Sequence, residues 1–160
     1  MNYVDFQKIF LFRVSSLVYE EQLELAILVC KRLFPDYKNF YTENSRGDPN
    51  VLKDTIQFCQ NQDKETLNIN IIDNLLLKID DITPETEDFE NASYALNACT
   101  SVYETLEFIK DKNQNHIINI GSYLTDTVDF KIQDDKELTE QEIDNHPLMI
   151  EARNFLLAIS

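Results

Sequence analysis

Six residues, Ala92, Ala95, Cys99, Val102, Leu106 and Ile109, recur alternately three and four apart. Side chains at those spacings lie on one face of an α-helix. The stripe starts with small residues and ends with large ones. A neighbouring helix can therefore approach closely at the N-terminal half and be held by bulkier side chains further on. The surrounding pattern predicts one long central helix over about residues 86–112. The stripe covers fewer than three heptads, too few for an independent coiled coil, so the helix belongs inside a bundle.

The rest of the chain is punctuated as helices. The first fifteen or so residues hold Val4, Ile9, Phe10, Phe12 and Val14, a helix that ends near Ser15 and Ser16. Tyr19 to Phe34 opens with Glu20, Glu21 and Glu24 and closes with Lys31 and Arg32, the charge order that suits a helix dipole. Pro35 is expected to break that helix, with Tyr37, Phe40 and Tyr41 forming a short aromatic turn beyond it. In the loop Asn44–Pro49, Gly47 suits a positive φ, Asp48 an N-cap and Pro49 the first helical position. Further amphipathic helices are predicted over about 49–61, 69–82, 116–133 and from Pro147 onward, and Thr139 with Glu142 has the spacing of a capping box. Glycine (2) and proline (4) are too scarce for a turn-rich β fold. The expected fold class is all-α, a single compact bundle of about seven to nine helices forming one domain over 1–160.

Charge narrows the partners. The formal net charge is −15, and it is unevenly spread: Glu65–Ser160 holds six basic and twenty acidic residues, whereas Met1–Lys64 is almost balanced. Such a chain repels phosphate backbones and anionic lipid heads, so neither direct nucleic-acid binding nor membrane binding is expected. The longest apolar run, Leu25–Cys30, is too short for a bilayer. The N-terminus does not read as a secretory signal, which makes the cytoplasm the expected compartment. Cys30, Cys59 and Cys99 are far apart, form no CxxC pair and read as small core residues.

Few residues point to chemistry. Cys99 sits within the apolar stripe and lacks a neighbouring base. His116 and His146 are the only imidazoles, and both read as turn or cap residues. No Glu-x-x-His element of the di-iron kind is present. Asp126 and Asp129, three apart on one helix, form an acidic cluster with Asp134, Asp135 and Glu137 that could meet a basic partner. Asn97 and Glu104 lie on the polar side of the central helix with Thr100, Glu107 and Asp111. That side is expected to face water, and it would line a pocket if buried. No catalytic residue, metal ligand or cofactor is assigned.

The segments FPDY (Phe34–Tyr37), Gly47-Asp48, DFENASYALNAC (Asp88–Cys99) and DNHPLMIEA (Asp144–Ala152) follow one another in an order that resembles the YjaG-like family of small bacterial proteins, a domain-of-unknown-function family. The likeness runs from about Phe6 to the end of the chain. In the central helix the family pattern places an acid where this chain has Asn97. The resemblance implies an all-α fold and no particular activity.

Taken together, these features lead to the expectation of a cytosolic helical interaction module that acts by binding, with a basic protein partner or a second copy of itself in a homodimer. A sharper form is an acidic immunity-type protein neutralising a basic nuclease toxin. The alternative is a small-molecule or metal-dependent enzyme of the helical-bundle kind.

Overall fold

The structure is a computed structural model that describes residues 1–63, 66–85 and 92–158. Within them are eight α-helices and no strand: α1 (Tyr3–Ser16), α2 (Tyr19–Asn44), α3 (Pro49–Gln60), α4 (Ile69–Ile82), α5 (Ala92–Asp111), α6 (Asn115–Ile132), α7 (Glu140–Asp144) and α8 (Pro147–Ala158). They form a compact bundle with α5 at its centre, packed most extensively on α2 and α6. The expected start of α5 at residue 86, and the apolar Ile159 of the last helix, lie outside the described residues.

All six stripe residues of α5 are buried, none more than 1% exposed. Ala95, Ala98 and Cys99 keep the interface shallow enough for α2 to lie close with Ala26 and Cys30 among its buried residues. Polar side chains within this core are satisfied locally. Thr105 Oγ1 donates to the Ser101 carbonyl at 2.7 Å, Ser101 Oγ donates to the Asn97 carbonyl at 2.8 Å, and Cys30 Sγ lies 3.3 Å from Thr105 Oγ1. Hydroxyls bonded one turn back in this way leave none of these donors unpaired.

Helix ends follow their sequence signals. Asp48 accepts from the backbone N–H of Asn50 and Val51 to cap α3, and Pro49 takes the first helical position. Thr139 and Glu142 form the reciprocal capping box at α7. Gly47 has φ 93°, and a Cβ there would meet the Tyr37 hydroxyl at 2.0 Å. That hydroxyl is itself a junction. It donates to the Ile82 carbonyl at 2.8 Å and accepts from the Asp48 N–H at 3.0 Å, tying α2, the end of α4 and the loop before α3 together.

One expectation fails. Pro35 does not end a helix; α2 runs through it to Asn44, and Tyr37, Phe40 and Tyr41 belong to the same helix. Proline removes one N–H and crowds the preceding turn. Here both Pro35 and Lys31, four residues earlier, lie on the exposed side, where water can take the freed carbonyl. On the other side Leu33, Tyr37 and Phe40 are at most 2% exposed. Burying those side chains outweighs a local penalty of about 3 kcal/mol.

Gly121 on α6 marks a close approach of α1. A Cβ at this position would lie 2.5 Å from Phe10 Cε2 and 2.7 Å from Phe10 Cζ. The Phe10 ring is 4% exposed and stacked on Phe6, so it has little room to move. Alanine gains roughly 1 kcal/mol in helix propensity, against an overpacking cost of about 1–3 kcal/mol. Gly121→Ala is therefore expected to destabilise the fold by about 1 kcal/mol, read as a lower urea midpoint at unchanged m.

Candidate functional site

Two groups of polar side chains stand apart from the ordinary surface. The first lies on α5 and α6. Asn97, Glu104, Glu107 and Asp111 follow one side of α5, and α6 packs against that side. Asn97 Nδ2 donates to Thr127 Oγ1 at 3.0 Å. The side chain of Glu104 is only 12% exposed. Its Oε1 accepts from the Tyr123 hydroxyl at 2.8 Å and from Asn119 Nδ2 at 3.2 Å, while Oε2 lies 2.8 Å from His116 Nδ1. His116 Nε2 is 2.9 Å from Asp111 Oδ2. The polar side of α5 is thus half-buried against a helix and does not simply face water.

An imidazole with a carboxylate at each nitrogen satisfies both as a double donor, the cationic form. Burial opposes that charge, but the hydrogen bonds to Asp111 and Glu104 outweigh it and raise the His116 pKa. Burial likewise opposes ionisation of Asp111, yet bonds from His116 and the Asn113 N–H lower its pKa. Glu107 shifts the other way. Burial raises its pKa, and although His116 acts against this, Glu104 and Asp111 add to the rise. Ligand atoms of Glu104, Glu107 and His116 all lie within 4.8 Å of one another. His116 is therefore more than the turn residue its position suggested. The clue available in the sequence was the 3-and-4 spacing of Glu104, Glu107 and Asp111, with a histidine just past the following turn.

The second group lines a cleft of about 520 Å³ between α1, α6, α7 and α8. Asp126 and Asp129 contribute from α6, Glu140 and Asp144 from α7, Tyr3 and Val4 from α1, and Arg153 from α8. Arg153 is 4% exposed. Its Nη1 donates to Asp144 Oδ1 at 2.9 Å and to the Met1 carbonyl at 3.1 Å, and its guanidinium lies over the rings of Phe6 and Tyr3. Its Nε is buried without a partner. Asp129 accepts a hydrogen bond from Gln133. Neither Asp126 nor Asp129 forms an ion pair with a Lys, Arg or His among the described residues. Burial and the neighbouring Asp129 charge raise the Asp126 pKa.

The structure therefore divides the predicted acidic cluster. Asp126 and Asp129 share the cleft, whereas Asp134, Asp135 and Glu137 are exposed after α6 and do not line it. Arg153, Asp144 and Glu140 complete the cleft and were not singled out from sequence. The signal was a lone arginine next to Ala152 and one turn from Met149 and Leu156 on the core side of the last helix. His146 serves as a cap, its Nδ1 accepting from the Leu148 N–H at 3.2 Å. All three cysteines are buried. Burial pushes the thiols of Cys30 and Cys99 up to about 12 and that of Cys59 well above its usual value, which suits packing and not nucleophilic attack.

An all-helical bundle with a half-buried carboxylate–histidine network and an acidic cleft is the class of protein these features define. Residues 9–159 match the family described as Protein of unknown function (DUF416), and the chain belongs to that family. The fold is similar to the crystal structure of a DUF416 family protein from Shewanella baltica OS155, with a TM-score of 0.79 and 28% sequence identity. That likeness covers 92% of this chain and 81% of the other. No curated protein matches the chain. Among the described residues no helix is long and apolar enough to cross a membrane.

Two outcomes follow for the cleft. Asp144→Asn leaves the Arg153 guanidinium buried beside a neutral amide and is expected to cost about 2–3 kcal/mol in urea unfolding. Asp126→Asn should act oppositely. A carboxyl whose pKa is raised on folding contributes its stability fully below the unfolded value and loses it as pH rises through the folded value. The variant should therefore exceed the parent at pH 7 by a few tenths of a kcal/mol, given the exposure of this side chain. Urea midpoints should converge toward pH 3.

Proposed function

We propose that this protein acts by binding a basic protein partner, and that the cleft between α1, α6, α7 and α8 receives a lysine or arginine side chain of that partner. One observation carries the reading. The cleft holds four carboxylates against a single guanidinium, and Arg153 is already matched by Asp144. Asp126 and Asp129 thus face each other's charge, no Lys, Arg or His among the described residues pairs with either, and an incoming ammonium or guanidinium would supply the missing cation.

The wider charge distribution supports the same reading. The surplus of acidic residues lies in the part of the chain that forms the cleft. A field of one sign accelerates encounter with an opposite partner and repels wrong ones. Neutralisation of a basic toxin, in the manner of an immunity protein acting in the cytosol, is the sharper form of this role. Nothing in it requires a nucleophile or a free base.

The test is fluorescence anisotropy with a labelled lysine- and arginine-rich peptide at low and at physiological salt. Binding should weaken with salt, and the double variant Asp126→Asn, Asp129→Asn should weaken it further by roughly tenfold, on the order of 1 kcal/mol or slightly more. Equal affinity of parent and variant at low salt would show that the peptide responds only to overall charge and would overturn the cleft as the docking site.

A further inference from the structure

We propose that Glu104, Glu107 and His116 form a site for a divalent first-row cation, zinc being the best match, at the junction of α5 and α6. The site is separate from the acidic cleft and uses none of its residues.

The donor set comes first. One imidazole nitrogen and two carboxylate oxygens from two helices converge within 4.8 Å. Zinc bound tetrahedrally at about 2.0–2.1 Å places its ligand atoms roughly 3.3 Å apart. Glu104 Oε2 and His116 Nδ1 already stand 2.8 Å apart, so a cation entering there takes the place of the proton between them after a small side-chain rotation. Imidazole with carboxylate favours borderline first-row metals over calcium, and the absence of a thiolate disfavours copper(I). Three protein ligands leave a fourth position for water.

A second and independent feature is the support behind these ligands. A metal-bound histidine characteristically directs its other ring nitrogen to a carboxylate, and a ligating carboxylate is itself hydrogen-bonded. His116 Nε2 meets Asp111 Oδ2 at 2.9 Å, which fixes the ring with Nδ1 toward the two glutamates. Glu104 is held by Tyr123 through its other oxygen and by Asn119, whose amide reaches both oxygens. Glu107 differs from both: no donor among the described residues bonds its carboxylate. Lys110, one turn on, is directed to Asp73 at 2.7 Å and so does not take that role. Three carboxylates therefore surround one imidazole near the C-terminus of α5, where the helix dipole also favours a cation. The Glu104 and His116 side chains are 12% and 17% exposed, within reach of solvent.

The experiment titrates the chelator-treated, desalted chain with Co²⁺, followed by its visible absorption, and then displaces Co²⁺ with Zn²⁺. One equivalent is expected to bind in the micromolar range or tighter. Glu107→Gln makes no change to the Glu104–His116–Asp111 hydrogen bonds and should keep the parent circular-dichroism spectrum, yet weaken binding at least about tenfold. Asp111→Asn, a positioning change, should weaken it about 10–100-fold at unchanged stoichiometry. The double variant Asp126→Asn, Asp129→Asn should bind Co²⁺ like the parent. No absorption change with millimolar Co²⁺ would reduce the group to a structural ion pair and overturn the site. Binding unaffected by Glu107→Gln and by His116→Gln would place the metal elsewhere and overturn it equally.

Discussion

Close packing along the small-residue half of α5 is the constraint on which the other elements depend. Alanines at 92, 95 and 98 let neighbouring backbones come near, and the hydroxyls of Ser101 and Thr105 fold back onto their own helix instead of holding the neighbours off. With α2 seated on that face, α6 occupies an adjoining one, and its position decides the fate of the polar side. Residues that would otherwise meet water are covered by Asn119, Tyr123 and Thr127. The polar network is thus a result of where the core lets α6 sit.

Two kinds of unbalanced charge result. In the α5–α6 network, most polar atoms are matched by one another, and Glu107 is the exception. In the cleft, a single arginine is paired with one aspartate and lies over aromatic rings while its Nε keeps no partner, and two further aspartates are left over. Interior polar groups cost stability unless paired. These sites are tolerated because solvent reaches them, and accessible sites of this kind are the ones that can take a ligand. The two lie on different sides of α6, which therefore contributes to both without linking them through a shared residue.

Much of the fold was legible because helices announce themselves through period and punctuation. The α5 stripe, the Asp48 cap before Pro49 and the Thr139–Glu142 box all fell where spacing and residue type placed them. Pro35 misled because its penalty is local, whereas the reward for continuing α2 comes from tertiary burial of Tyr37 and Phe40. The sites were harder to read for a similar reason. Glu104 and His116 are twelve residues apart, and only the turn between α5 and α6 brings them together. Asp126 and Asp129 were visible as neighbours on a helix, but Arg153 joins the same cleft from the last helix, and no local pattern records that. Asp134, Asp135 and Glu137 are close in sequence to that pair yet do not line the cleft, since α6 ends before them.

The Tyr37 hydroxyl has one further consequence. By holding the end of α4 and the amide of Asp48 at once, and by filling the space a side chain at residue 47 would need, it makes three separate segments share a single latch. Burial pushes its ionisation up to about 12, so the latch keeps its proton throughout the range in which proteins work. The end of α4 and the Asp48 amide are therefore coupled through one phenol, in addition to the packing of α2, α3 and α4 on one another.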